Sequence, residues 1–74
     1  MKTVIMSNGK VVSEDRYIKM KTADLREFGY STLTENQVAE QLEKIRKGEP
    51  LSIIGKFMEN DLSDDEKIKE VRHE

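Results

Sequence analysis

The chain has no cysteine, so disulfides, thiolate zinc sites and thiol catalysis are excluded together. Its one imidazole belongs to His73, and a histidine-based metal or general-base site needs more than that. No apolar run approaches the roughly 20 residues that a membrane span requires, and the opening Met1-Lys2-Thr3-Val4-Ile5-Met6 breaks its apolar stretch too early for a signal-peptide core. These absences favour a reducing, cytoplasmic location and no membrane partner. They also argue against an enzyme, since no nucleophile, base or metal set stands out. With 74 residues, one hydrophobic core is all the chain can build, so residues 1–74 are expected to form a single domain.

What is present is charge. Asp, Glu, Lys and Arg make up 38% of the chain against 35% hydrophobic residues, a balance that first raises the question of disorder. Near-neutrality and regular apolar spacing answer it in favour of a fold. Up to Tyr30 there are six Lys/Arg and four Asp/Glu; from Ser31 onward there are seven and eleven. This mild asymmetry is too small to mark a polyanion-binding protein.

The N-terminal third reads as β-structure. Thr3–Ser7 and Lys10–Val12 are rich in β-branched residues and flank Asn8-Gly9, a dipeptide suited to a two-residue type I′ turn. That turn pairs Met6 with Val11 and Ile5 with Val12. From Arg16 to Lys21, Ile18 and Met20 alternate with Lys19 and Lys21, the period of a half-buried third strand. A three-stranded meander over residues 1–21 follows.

Residues 22–62 read as a helical core. Thr22 can cap a short helix over 23–28 that turns Leu25 and Phe28 inward and ends at Gly29. Thr34-Glu35-Asn36-Gln37 is a capping box with Leu33 and Val38 as its hydrophobic staple, and the helix from 35 to 47 carries Val38, Leu42 and Ile45 on one stripe. Pro50 suits the first position of a further helix over 50–60, with Ile53 and Phe57 widening its apolar arc beyond Leu51, Ile54 and Met58. Ser63-Asp64-Asp65-Glu66 is a second capping box, expected to open a marginal helix over 63–74. The fold class is therefore α+β, an N-terminal antiparallel hairpin or meander packed against two to four helices.

Motifs with chemistry in them are few. Six residues separate Gly48 from Gly55-Lys56 where a phosphate loop has four between its glycines, and Phe57 stands where that loop needs a hydroxyl. The acidic run from Asp61 to Glu66 lacks the glycine and terminal glutamate of a calcium loop, and helix capping accounts for its carboxylates. Asp15, Asp24 and Glu27 are plain surface acids with no pairwise spacing that singles them out. No cofactor and no small-molecule substrate are expected.

Two binding readings remain. Ile53 and Phe57 are one helical turn apart and surplus to a simple stripe, so they serve either as core or as one side of a protein interface or self-association surface. Arg46, on the edge of the apolar stripe of its helix, either lies over the core or reaches a partner's carboxylate. The alternative is nucleic acid, held on the basic sheet by Lys10, Arg16, Lys19 and Lys21 with Tyr17 as a stacking surface, or by the helix-turn-helix-like αα unit at Gly48. That unit exposes Lys56 against Glu59, too little positive charge for phosphates. A non-enzymatic module acting by contact with a protein is the expected function.

Overall fold

The computed structural model describes residues 2–67. A two-stranded antiparallel hairpin, β1 (Thr3–Ile5) and β2 (Val11–Ser13), leads without a loop into α1 (Glu14–Phe28), followed by α2 (Glu35–Lys47) and α3 (Ile53–Glu59). The α+β class is as read from sequence, but the third strand is not there. Residues 16–21, assigned to it, lie inside the first half of α1. The helix starts where the local chemistry favours it: the Ser13 hydroxyl accepts a hydrogen bond from the Arg16 N–H, and Glu14 and Asp15 sit in the first turn, where the helix dipole favours acids. Tyr17, Ile18, Thr22 and Leu25 then recur on one buried face. Thr22, expected as a cap, is interior to the helix, its hydroxyl donating to the Ile18 carbonyl at 2.7 Å. Phe28, expected in the core, is 69% exposed.

The hairpin register also differs from expectation by one residue. Val4 pairs with Val12 and Ile5 with Val11, while the Met6 N–H donates to the Lys10 carbonyl and the Gly9 N–H to the Met6 carbonyl. Ser7-Asn8-Gly9 thus forms a three-residue loop with Gly9 at φ 90°, a geometry that needs glycine as much as the two-residue turn does. Because side chains alternate, the shift changes every partnership: Val4 and Val12 share the inner face, and Val11 turns outward.

The free edge of β1 is covered from the far end of the chain. Met6 forms an isolated bridge with Leu62, flanked by Ser7 N–H to Asp61 C=O at 2.8 Å and Ser63 N–H to Ile5 C=O at 3.0 Å. The core beneath comprises Val4, Tyr17, Ile18, Leu25, Leu33, Val38, Leu42, Ile45, Met58 and Leu62.

α2 matches its expected bounds and carries the full reciprocal box, the Gln37 N–H on the Thr34 hydroxyl and the Thr34 N–H on the Gln37 carboxamide. It ends at Gly48, left-handed with φ 72°. α3 is shorter than read: Ser52, not the residue before Pro50, is its cap, since the Ser52 hydroxyl accepts from the Gly55 N–H. Gly55 lies against Leu51 and the Gln41 carboxamide, so the close approach it permits is internal. The expected box at Ser63 does not close reciprocally: the Glu66 N–H donates to the Ser63 backbone carbonyl and the Glu66 carboxylate points elsewhere. Of the helix expected over 63–74, residues 64–67 form a hydrogen-bonded turn instead, and the rest lies outside the described residues. Among the described residues no helix is long and apolar enough to cross a membrane.

Candidate interaction surface

The six residues singled out from sequence do not form one site. Tyr17 is fully buried in the middle of the α1 core face, so it offers no ring for stacking. Burial, reinforced by the negative charge of Asp61, raises its phenol well above the ordinary 10.0 and keeps it neutral. Its hydroxyl has no hydrogen-bond partner among the described residues. Lys21 pairs with Asp61, whereas Lys19 is exposed to solvent.

Arg46 reaches carboxylates, but those of its own chain. Its Nε and Nη2 bond Glu66 Oε1 at 3.2 and 3.0 Å, Nη1 bonds Glu14 Oε1 at 2.7 Å, and Nη2 also donates to the Thr3 carbonyl at 3.2 Å. Glu66 is fully buried, and its second oxygen accepts the Ile5 N–H at 2.9 Å. Burial by itself pushes the guanidinium pKa down, but hydrogen bonds and charge from Glu14 and Glu66 outweigh it, and the net shift is upward. Arg46 therefore joins α2, the start of α1, β1 and the 63–67 turn, and is itself buried.

Ile53 and Phe57 remain at the surface. Ile53 opens α3 and is 58% exposed, and Phe57, one turn on, is half-buried against the core margin. Two aromatic residues missed by the sequence reading join them. Phe28, at the end of α1, meets Phe57 edge-on with ring centroids 5.4 Å apart, and Tyr30, just beyond Gly29, lies 6.3 Å from Phe28 and 6.1 Å from Phe57. The turn after α1 brings this about: the Gly29 and Tyr30 N–H groups bond back to the last turn, so the chain reverses and Tyr30 folds under Phe28. Three of the chain's four aromatic side chains thus meet in one surface cluster. Ring pairs of this kind contribute about 0.5–1.5 kcal/mol beyond area burial, which holds the patch in a fixed shape.

No family model, curated protein or solved structure matches the chain. The residues alone must carry the functional reading.

Proposed function

We propose that the protein is a non-enzymatic interaction module that binds a protein, a second copy of itself included, through the patch formed by Phe28, Tyr30, Ile53 and Phe57. The observation that carries this is Phe28, a large aromatic side chain 69% exposed yet locked by ring contacts on one side. A core would bury it, and a surface selected only for solubility would replace it. Preordered aromatic anchors concentrate binding energy, because little side-chain entropy is lost on docking. Nearby Ile53 extends the apolar area along α3.

Nucleic acid is the weaker reading. With Tyr17 buried and Lys21 paired to Asp61, the proposed basic sheet loses its ring and one of its charges. The test of the main reading is sedimentation velocity over a wide concentration range, on wild type and on Phe28→Ser, together with co-purification of tagged forms from the native host. Phe28→Ser is expected to stay folded, melting only slightly below wild type for the ring contacts it loses, while losing self-association or its co-purifying protein. A variant that keeps both assembly and partner removes the patch from the function.

A further inference from the structure

β2 has an open edge. Met6 and Lys10 form a hydrogen-bonded pair and so do Lys2 and Glu14, through the Glu14 N–H at 3.0 Å, so by strict alternation Val4 and Val12 are bonded to each other. Val11 and Ser13 then direct their N–H groups, and Val11 its carbonyl, away from β1. None of these three groups has another partner among the described residues. On β1 three of the corresponding groups are used, the Ile5 N–H by Glu66, the Ile5 carbonyl by Ser63 and the Thr3 carbonyl by Arg46. One edge of the sheet is closed by built interactions, and the other is bare.

A groove runs beside that bare edge, between β2 and α1. Met6, Val12 and Met20 supply its apolar lining and Lys10 and Arg16 its charge, with no acidic residue among its walls. Around the corner Lys19 adds a third cation against Asp15. A chain of net charge −2 therefore carries a local positive surface at the strand edge that the described residues leave open. We propose that the edge of β2 accepts an extended acidic segment of a partner protein as an added antiparallel or parallel strand. Backbone groups of Val11 and Ser13 hold it, every second side chain of the guest enters the groove, an apolar one meets Met20 and Val12, and acids two residues to either side meet Lys10 and Arg16.

Charge selects this occupant over a second copy. A second copy carries the same two cations beside its own β2 and no acid in that groove to offer them. A short edge flanked by lysine resists strands of its own kind, while the same lysine attracts an acidic one. This surface is independent of the aromatic patch: Arg16 and Phe28 are twelve residues apart on α1, about 18 Å along its axis.

The experiment is an NMR titration of the full chain with the capped peptide Thr-Glu-Thr-Leu-Thr-Glu-Thr, against Thr-Lys-Thr-Leu-Thr-Lys-Thr and a single-stranded oligonucleotide. The acidic peptide is expected to shift the amides of Val11 to Arg16 and of Met20, and to slow exchange of the Val11 amide at least tenfold. Lys10→Glu and Arg16→Glu are expected to weaken it at least tenfold each while leaving the free spectrum of the core unchanged. Equal binding of the basic peptide, or binding of the oligonucleotide alone, overturns the proposal. So does a Val11 amide already protected without peptide, whether at all concentrations, which means that the chain covers its own edge, or only at high ones, which means a second copy. Failure here leaves the Phe28 test untouched, and the reverse also holds.

Discussion

Replacing Arg46 with methionine is expected to be among the most damaging single substitutions in the chain. The guanidinium is 7% exposed at the residue level and makes four hydrogen bonds, two of them to the fully buried Glu66. Methionine fills much of the volume but takes the guanidinium and its two hydrogen bonds away from the buried Glu66 carboxylate. Removing one partner of a buried ion pair costs about 3–5 kcal/mol, against the roughly 5–15 kcal/mol that holds a domain together. For a domain of this size 1 kcal/mol moves Tm by about 4–8 °C, so the variant should melt at least about 12 °C lower, or be unfolded at room temperature. A companion variant separates charge from packing. In Arg46→Met/Glu66→Gln the neutral amide still accepts the Ile5 N–H but needs no cation, and most of the lost stability should return. Urea unfolding followed by circular dichroism reads both. If Arg46→Met melts within about 4 °C of wild type, or if the double variant is no better than the single one, the network does not hold the 63–67 turn to β1.

The aromatic patch divides by burial: Phe57→Ala should cost about 2 kcal/mol, roughly half of what a fully buried phenylalanine loses, whereas Phe28→Ala, which gives up ring contacts but little burial, should cost only about 1 kcal/mol in thermal melts. Ser13→Ala should cost about 1 kcal/mol by removing the α1 cap, measurable by urea unfolding, and no loss would mean that the helix starts elsewhere. Tyr17→Phe should be neutral or slightly stabilising, because it deletes a buried hydroxyl that has no partner among the described residues. Since the folded phenol titrates above its ordinary 10.0, the neutral form is favoured in the fold; stability should be intact below pH 10 and fall above it in wild type, and Tyr17→Phe should flatten that fall. If single-stranded oligonucleotides bind at low salt with affinity that falls steeply as salt rises, and Lys19→Glu abolishes it, the weaker functional reading replaces the stronger.

α2 was legible because both of its ends are coded within a few residues of themselves, by Thr34 with Gln37 and by Gly48. α1 was not, because four alternating residues from Ile18 to Lys21 fit a strand as well as they fit one turn of a helix. The decisive signal lay upstream, in Ser13 followed by Glu14 and Asp15, and in the spacing of Tyr17, Ile18, Thr22 and Leu25, which only a helical period satisfies. Asn8-Gly9 specified a turn but not its length, since a left-handed glycine serves the two- and three-residue loops alike, and one residue of slip exchanges the faces of Val11 and Val12. Arg46 stood out locally as a charge on an apolar stripe. Its partners did not, being 20 and 32 residues away in sequence. For the same reason half of the candidate patch was visible: Ile53 and Phe57 share a helix, but Phe28 joins them only once α1 extends back to Glu14 and fixes which way its last turn faces.

The central claim, that the Phe28 patch is where this protein meets another, is tested most directly by site-specific photo-crosslinking in the native host. A benzophenone side chain at position 28 is expected to capture one discrete protein product, a dimer of the chain or a single partner, and the same probe at exposed Glu40 on α2 should capture none. Tyr30→Ser, which strips one ring from the patch while leaving the probe in place, should reduce that product several-fold. Crosslinks that are absent, diffuse, or equal at positions 28 and 40 would contradict the claim and leave the exposed aromatic cluster without a role in recognition.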